Sequence, residues 1–414
     1  MTQLDKKGAL AIIASATNLD VMAQSIQSIS DISAETLLAD PYPAFDRIRA
    51  IGSAVQVDAA NLILVTRFDD IAAVEQNAAT FASTNPQSLM NKFMGHTLMR
   101  KDFEDHAVER KAIEPSFRPG TAKNHWAPIF SKIADELIDG LNDQESADLF
   151  NAFAAPMASL SLIQMLGFQG VKWQELADWS QSLMDAVANY SNNPQVTEKG
   201  LSAGREIDDA IDAVLPHHRA DENPSVLSSM LHADKAQNID QIRANVKVII
   251  GGGLNEPRDS ILTTILALLQ NPDQRQAVEE DPDLFAKAFD EAVRWVAPIG
   301  MYPRLVQEET VLGDTRLPKG VQIGICVGAA NRDPKYFDDP HAYDLHRSPN
   351  KHLGFGRGPH FCAGAWVSRQ MVGEIAVPKL FKRLKNLRLD PRAHPVERGW
   401  VFRGPTSLPV VWDK

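Results

Sequence analysis

Most of the chain carries apolar residues at three- and four-residue spacing, the pattern that predicts amphipathic helices. The clearest of these segments are Ser131–Leu141, Leu201–Leu215 and Ile261–Leu269. Runs that predict strands are few and short, namely Asn61–Thr66, Val321–Val327, Val401–Phe402 and Leu408–Trp412. The pattern therefore predicts a fold class that is mainly α with small β-sheets attached.

The sequence contains no internal repeat, low-complexity tract or long Gly/Ser/Pro linker. We therefore predict an N-terminal extension over residues 1–39 and a single catalytic domain over residues 40–414. Within the extension, Gly8–Ala16 follows two lysines and faintly resembles a secretion signal. Asp5 precedes those lysines, and the apolar stretch is short and rich in alanine, so an extension that stays on the protein is favoured.

The composition excludes several classes of protein. The 414 residues include 42 Lys plus Arg against 53 Asp plus Glu, a formal net charge of −11, whereas a general nucleic-acid binder needs a basic surface. No apolar run approaches the roughly 20 residues of a membrane-spanning helix. Two cysteines are too few for a disulfide framework or a four-cysteine zinc site, and they suit a reducing compartment. We expect a soluble, acidic, cytoplasmic protein.

The two cysteines lie in very different surroundings. Cys326 sits in a strand-like run of Ile and Val, which is typical of a buried, inert core thiol. Cys362 ends a glycine-rich segment, residues 353–364, just before a stretch with helical periodicity. A helix start stabilises a thiolate, and glycines let a backbone approach a flat, bulky group. A metal held by one such thiolate is more often a cofactor iron than structural zinc.

Three other interpretations of Cys362 stay open on these residues alone. A buried loop cysteine explains the thiol but not the glycines at positions 354, 356, 358 and 364. A zinc site could combine His352, His360 and Cys362, although no fourth ligand is evident. A cysteine nucleophile needs a separate base, which the segment does not identify.

A set of motifs in a fixed order resembles the cytochrome P450 family. The most specific is Phe355-x-x-Gly358-x-x-x-Cys362-x-Gly364, which is similar to the family's haem-binding signature. The others are Glu291-x-x-Arg294, Ala330–Pro334, Tyr343–Arg347, Asp40–Tyr42 and Thr66–Asp70. The resemblance, to soluble bacterial members, covers about residues 40–412. It implies the cytochrome P450 fold, haem b as cofactor and monooxygenase activity.

The resemblance also implies roles for single residues. Cys362 is the axial thiolate of the iron, Phe355 packs near its sulfur, and Gly364 lets the next helix pass close to the porphyrin. The residues that match the family's propionate-binding positions are His106, Arg110, Arg304 and His360. Glu291, Arg294 and Arg347 resemble a buried ion-pair triad that supports the scaffold on the thiolate side.

The helix expected over the opposite face of the haem departs from the family pattern. In Ile249–Ser260 the acid is Glu256, but Pro257 follows it where many members carry an alcohol. Proline removes the N–H that would bond the Gly253 carbonyl, so we expect the helix to open there. We hypothesise that Glu256, with water, delivers protons to the dioxygen site. The alternative is structural, with Asn255 capping a new helix that contains Pro257 in its first turn.

Glu256-Pro257 and the ending Phe402–Ser407 resemble bacterial members that include aromatic O-demethylases. Gly252 is assigned to the haem contact, and the predicted substrate pocket consists of Leu89, Phe93, Val187, Gly253, Ile299 and Phe402. These residues are apolar or small, so we expect a small, mostly apolar, aromatic substrate. Three polar residues in the same stretches are candidates to bind a phenol or ether oxygen, namely Asn85, His96 and Asn255.

The expected electron supply follows from local charge. Between Lys351 and Gly373 the chain has the cations Lys351, Arg357 and Arg369 and no acid, although the protein as a whole is acidic. Such a surface steers an acidic ferredoxin or flavin-type donor. The sequence ends at Lys414, so a separate donor with its reductase is expected rather than a fused one. The alternative functions are a peroxide-driven peroxygenase and a haem-thiolate ligand sensor without turnover.

Overall fold

The computed structural model describes residues 24–189, 192–235 and 237–414, so the signal-like stretch Gly8–Ala16 lies outside the described residues. The helices are α1 Ala34–Ala39, α2 Tyr42–Ile51, α3 Phe68–Gln76, α4 Leu89–Met94, α5 Phe103–Phe117, α6 Pro119–Thr121, α7 Ala127–Asp139, α8 Ala155–Leu166, α9 Trp173–Val187, α10 Pro194–Ala220, α11 Val226–Leu231, α12 Ile239–Gln270, α13 Pro272–Glu280, α14 Phe285–Trp295, α15 Val327–Ala330, α16 Ala365–Ser368 and α17 Val377–Arg383. Short 3₁₀ helices cover Asp58–Ala60, Leu98–Arg100, Pro282–Leu284 and Gly358–His360, and π-helical segments cover Ala122–Trp126, Phe150–Ala154 and Arg369–Ala376. The strands are β1 Gln27–Ile29, β2 Val55–Val57, β3 Leu62–Val65, β4 Phe81–Ala82, β5 Ser146–Asp148, β6 Tyr302–Val306, β7 Thr310–Leu312, β8 Thr315–Leu317, β9 Gln322–Ile325, β10 Lys385–Leu389, β11 Glu397–Arg398, β12 Gly404–Pro405 and β13 Pro409–Asp413.

The largest sheet has the strand order β1-β2-β3-β9-β6-β4. β1 pairs with β2 and β3 pairs with β9 in parallel, and the other neighbours are antiparallel. The apolar runs at its centre are buried, with Leu64, Val65, Ile323 and Ile325 at 0% exposure. The expectation of a mainly helical chain with small sheets is therefore confirmed, and the two clearest predicted strands correspond to β3 and β9.

The first strand comes from the segment assigned to the N-terminal extension. Gln27–Ile29 pairs with Val55–Val57 at the edge of the main sheet. Ile32 and Leu37 are buried in the same apolar cluster as Leu64. The described part of the extension is therefore built into the packed structure, because its apolar residues cover the sheet edge, and a boundary at residue 40 falls inside that packing.

Helix α12 crosses the helical layer. It carries Ile249–Ser260, the segment expected over the haem face opposite Cys362, which we call the distal motif. A capping box of Asn238 and Gln241 starts it, and it packs against α8, α9 and α14. It continues without a break through Pro257, so the expected opening of the helix does not occur. The alternative in which Asn255 caps a new helix is also wrong. Packing on several sides holds the helix together although proline leaves the Gly253 carbonyl without its usual donor.

The remaining sequence predictions differ from the structure mainly at element ends. The three predicted helices lie within α7, α10 and α12, although α7 ends at Asp139 with Gly140 as its cap. Val401–Phe402 forms no strand, and Phe402 makes only an isolated bridge to Ile299. Cys326 is fully buried in an apolar cluster, as predicted for a core thiol.

Two large apolar clusters fill the helical part of the molecule. One combines side chains of α4, α8, α9, α10 and the first half of α12. The other combines α7, the second half of α12, α14 and the segment that follows α16. The segment 353–364, which we call the cysteine loop, leads into α16.

Candidate functional site

The cysteine loop holds its thiol through backbone hydrogen bonds. The Cys362 N–H donates to the Phe355 carbonyl at 2.9 Å. The Gly364 N–H lies close enough to the sulfur to lower the pKa of the thiol. Gly356 and Gly358 have φ values of 67° and 66°, in the left-handed region that favours glycine. A Cβ at Gly358 would lie 2.6 Å from the backbone oxygen of Glu75 in α3. Glycine is therefore required here both by conformation and by close approach.

The surroundings of Cys362 favour the neutral thiol over the thiolate. Burial raises the pKa of the thiol, and the Glu256 carboxylate raises it further. The Gly364 N–H, Arg110 and Arg369 act in the opposite direction. A thiol in this position becomes a stable anion once a metal cation binds it, because a coordinating thiol is deprotonated.

Phe355 packs close to the start of α14 and the base of the loop. Its ring centroid lies 6.2 Å from that of Phe289 and 5.8 Å from that of His352. The Arg369 guanidinium lies 4.7 Å from the Phe355 centroid. Phe355 is thus held between an apolar core and a cation on the thiol side of the site.

Helix α12 presents its distal motif to the thiol. Gly252 and Glu256 are four residues apart and share a helix face. Gly252 is exposed between the buried residues Gly251 and Leu254, and a Cβ there would meet no atom within 4 Å. A Cβ at Gly364 would likewise meet only the Cys362 sulfur, at 3.9 Å. Glycines on both sides therefore leave open space between helix and loop.

The Glu256 carboxyl is buried without a partner. Neither of its oxygens has a hydrogen-bond partner in another residue, although both are inaccessible to solvent. Burial raises the pKa of Glu256 to about 8, and the neighbouring Asp259 carboxylate contributes to the rise. A buried acid without a partner residue is costly for a purely structural role, so Glu256 is a candidate functional group.

The residues expected at the propionates supply buried nitrogen atoms. The rings of His106 and His360 lie 4.1 Å apart, and His106 Nε2 is buried without a partner. Burial, followed by the charges of His360 and Arg110, lowers the pKa of His106 to about 4. Arg304 is buried and bonds the carbonyl of Pro303 at 3.1 Å. These groups need an anionic or hydrogen-bond-accepting ligand to satisfy them.

Arg110 is partly committed to the protein itself. Its Nη1 donates to the Phe361 carbonyl at 2.8 Å, and its Nε lies 3.5 Å from a Glu114 oxygen. It therefore ties α5 to the cysteine loop as well as adding positive charge beside the thiol.

Asp102 contacts one of the predicted propionate-binding residues, and the sequence analysis did not identify it. Its Oδ1 lies 3.5 Å from His360 Nε2, and it accepts from the backbone N–H groups of Ser83 and Thr84. Although burial acts to raise it, hydrogen bonds from His360 and Thr84 hold the pKa of Asp102 well below its usual range. The only sequence feature that could have indicated Asp102 is its position four residues before His106.

The predicted triad is joined by direct ion pairs. Arg294 donates to both oxygens of Glu291 at 2.8 Å, and Arg347 Nε donates to the same carboxylate at 3.1 Å. The Asp344 N–H and the Asn350 side chain complete its coordination at 2.9 and 3.1 Å. Arg294 also bonds backbone carbonyls after α15, so it fixes the segments that lead into the cysteine loop.

The zinc interpretation fails on this geometry. Among residues 24–189, 192–235 and 237–414, no group of three His, Cys, Asp or Glu side chains could hold a metal ion. His352 Nδ1 accepts from the Gly354 N–H, and His360 faces Asp102, so neither is directed to Cys362 with a third ligand. The remaining features fit a haem: one thiol, open space between two glycine-lined surfaces, and unpartnered nitrogen for carboxylates.

The comparisons agree with this fit. The sequence profile of the cytochrome P450 family matches residues 55–385. The chain belongs to the cytochrome P450 family. It is a cytochrome P450 monooxygenase, an oxidoreductase that binds haem b.

The proteins that this chain resembles have names that refer to different biosynthetic products. Pulcherriminic acid synthase of Bacillus subtilis is 25% identical over 95% of this chain and 100% of its own length. The polyketide biosynthesis cytochrome P450 PksS of Bacillus subtilis is 27% identical over 85% of this chain and 89% of its own. The crystal structure of P450BioI, solved with an acyl carrier protein, superposes with a TM-score of 0.82 at 24% identity, covering 90% and 99% of the two chains. This last likeness concerns the fold alone.

Most predicted pocket residues meet in one cluster of this P450. Phe93 is buried in the cluster of α4, α8, α9, α10 and α12, and Leu89, Val187 and Phe402 pack against it. Ile299 is connected to this cluster through its isolated β-bridge to Phe402. Gly253 is placed differently from the prediction, because a Cβ there would lie 3.2 Å from Leu162 Cδ1. It packs closely on α8 rather than facing open space.

The polar candidates for substrate recognition already have protein partners. Asn85 donates to Gln322 at 2.8 Å, and His96 Nε2 lies 3.0 Å from the Arg100 carbonyl. Asn255 donates to Ser180 Oγ at 3.2 Å and accepts from Arg258 at 2.9 Å. The bonds of Asn85 to Gln322 and of Asn255 to Ser180 join distant segments, and the sequence pattern does not show such pairs.

The surface beside the cysteine loop is less basic than the local sequence predicts. Arg369 donates to Asp290 of α14 at 2.9 Å, and the Arg357 guanidinium lies over the Phe68 ring. The surface instead exposes aromatics, with Trp366 at 52% and Phe361 at 37%. Lys351 remains exposed. In the described part of the chain, no helix is long and apolar enough to span a membrane.

Proposed function

We propose that this P450 hydroxylates or O-demethylates a small, mostly apolar aromatic substrate, using dioxygen and two electrons from a separate donor. Haem iron with a thiolate ligand supplies dioxygen activation when bound. The observation that carries the proposal is the unpartnered Glu256 carboxyl, which lies within electrostatic range of the Cys362 thiol.

Glu256 has the properties of a general acid at neutral pH. With a pKa of about 8 it holds its proton at pH 7, and its buried oxygens are free to donate and accept through water. Pro257 cannot donate to the Gly253 carbonyl, and we propose that this carbonyl accepts a hydrogen bond from water. In this scheme the Glu256 carboxyl, the Gly253 carbonyl and water take the place of the alcohol that many family members carry.

The substrate class is supported by the apolar cluster that contains most of the predicted pocket residues. Phe93, Leu89, Val187 and Phe402 belong to or pack against one apolar cluster, which favours an apolar ligand over a polyanion. The three polar side chains considered for recognition are occupied by protein contacts. Shape and apolar contact are therefore expected to select the substrate more than hydrogen bonds do.

O-demethylation is the finer proposal. Insertion of one oxygen atom into a methoxy C–H bond, with the other reduced to water by two electrons and two protons, gives a hemiacetal. That hemiacetal divides into a phenol and formaldehyde. The support is the Glu256-Pro257 variant together with Phe402–Ser407, a resemblance carried by two short stretches.

Electrons are proposed to enter beside the cysteine loop. Lys351 and the exposed rings of Trp366 and Phe361 form a surface with an apolar centre and positive charge, which fits an acidic ferredoxin or flavin-type donor. Both cysteines are free thiols, which suits a reducing cytoplasm.

A peroxygenase is the second candidate, favoured by the missing distal alcohol. A haem-thiolate sensor without turnover is weaker, because it would not need the free acid at Glu256. The test is a screen of methoxyarenes for a low-to-high-spin shift, followed by turnover with NADPH, a ferredoxin and its reductase. Equal amounts of formaldehyde and phenol support the proposal. Product with hydrogen peroxide alone selects the peroxygenase, and a spin shift without any product selects the sensor.

A further inference from the structure

A second buried acid, Glu75, lies against the glycines of the cysteine loop. It is the penultimate residue of α3 and is 6% exposed. One carboxyl oxygen accepts from the Tyr302 hydroxyl, and the other is buried without a hydrogen bond. No motif in the sequence pointed to this pair, since Glu75 and Tyr302 are distant in the chain.

Glu75 contacts the loop at its glycines. The Arg357 backbone N–H lies close enough to its carboxylate to lower the pKa of Glu75. A Cβ at Gly356 would lie 3.1 Å from the Glu75 oxygen and 3.4 Å from the Tyr302 hydroxyl. The left-handed conformation of the loop is therefore shaped around this acid, and the same loop ends at Cys362.

Tyr302 connects the acid to the rest of the site. It shares β6 with Arg304, two residues on, so the two side chains project from the same face of the strand. The Arg304 guanidinium lies 5.0 Å from the centre of the Tyr302 ring. The charge of Cys362 is also among the causes, after burial, that raise the pKa of Tyr302. Tyr302, the hydrogen-bond partner of Glu75, is therefore in electrostatic range of the Cys362 sulfur.

We propose that Glu75 and Tyr302 are a positioning pair that holds the cysteine loop and whose buried negative charge lowers the reduction potential of the haem. Adding an electron to the iron is disfavoured by a nearby anion, and solvent screens a buried anion poorly. Arg304 and Arg357 face the carboxylate and balance part of its charge. Removal of the acid leaves those cations in excess and favours the ferrous state.

The test is the ferric–ferrous midpoint potential of the haem-loaded protein, measured at pH 9 because burial raises the pKa of Glu75. We expect Glu75→Gln to shift the ferric–ferrous ratio about tenfold towards ferrous, or about 59 mV for one electron. Glu75→Asp keeps the charge and should stay near wild type. Tyr302→Phe removes a donor that lowers the pKa of Glu75, so it should shift the potential in the same direction as Glu75→Gln but by less.

Asp70 provides a matched control on the same helix. It is also buried with one unpartnered carboxyl oxygen, but it faces Ser53 and Gly313 on the far side of α3. Asp70→Asn should leave the potential unchanged. The carbon monoxide difference spectrum of each variant reports whether thiolate ligation is intact. An unchanged potential in Glu75→Gln with intact ligation overturns the proposal, as does an equal shift in Asp70→Asn.

Discussion

The Glu256 carboxyl raises the pKa of the Cys362 thiol, although one lies in the middle of α12 and the other in the loop before α16. The two groups are therefore within electrostatic range of each other. Burial raises the pKa of Glu256 to about 8, so this acid keeps its proton at neutral pH. We propose that Cys362 serves as the iron ligand and Glu256 as the proton carrier.

The open space beside Gly252 gives a prediction that separates stability from cofactor fit. Gly252→Ala adds a methyl group where no atom lies within 4 Å, and alanine favours a helix over glycine by about 1 kcal/mol. We expect unchanged or higher stability in the haem-free protein but several-fold weaker substrate binding, measured by the spin-state titration. Gly200→Ala in α10, where a Cβ would lie 2.4 Å from Ala186 Cβ, should destabilise the fold instead. Unaltered substrate affinity in Gly252→Ala would show that this position does not face the site.

The ion-pair triad predicts a large loss of folding stability when its acid is replaced. Glu291 is 1% exposed and accepts bonds from Arg294, Arg347 and two further groups. Glu291→Gln leaves two buried guanidinium groups without their charge partner, so we expect a loss of about 3–5 kcal/mol in unfolding free energy by chemical denaturation. Asp234→Asn, which breaks an exposed pair with Lys111, should have no measurable effect. Similar midpoints for the two variants would contradict a supporting role for the triad.

His218 predicts how stability depends on pH. It is 2% exposed, its Nε2 lies 2.8 Å from the Gly167 carbonyl, and burial lowers its pKa. The unfolded chain takes up a proton below about pH 6.5 while the folded chain resists it. Stability is therefore present above that pH and is lost as the pH falls through it, by at most about 1.4 kcal/mol per pH unit.

The measurement is the unfolding free energy between pH 7.5 and pH 5, for wild type and His218→Gln. The variant should lose less stability on acidification than wild type. His217→Gln changes an exposed neighbour and should follow wild type. Parallel curves for wild type and His218→Gln would remove His218 as the source of the acid sensitivity.

The donor surface predicts a charge effect on reduction. Lys351→Glu should slow haem reduction by an acidic ferredoxin several-fold and flatten its dependence on salt, because long-range attraction is weakened. Stopped-flow reduction under carbon monoxide measures the rate. Lys199→Glu makes the same charge change on exposed α10 and should leave the rate unaltered. Equal slowing in both variants would point to total charge rather than to docking beside the cysteine loop.

The helical periodicity of the apolar residues predicted the mainly helical fold. The motif around Cys362 predicted the family and the glycine-rich loop that carries the thiol. The errors have physical causes. The proline in α12 suggested a break, but packing against neighbouring helices keeps the helix continuous. Charges counted along the sequence could not show that Asp290 of α14 pairs with Arg369. Asp102 and Glu75 were missed because their roles depend on contacts between distant segments.

The most direct test of the account is coupling in Glu256→Gln. The variant keeps the size of the side chain but cannot donate an acid proton to water. With a substrate that gives a full spin shift, we predict at least a tenfold fall in product per NADPH consumed, the electrons appearing as hydrogen peroxide. Wild-type coupling should itself decline above about pH 8, as Glu256 loses its proton. Wild-type turnover and coupling in Glu256→Gln would contradict the central claim that this acid delivers protons.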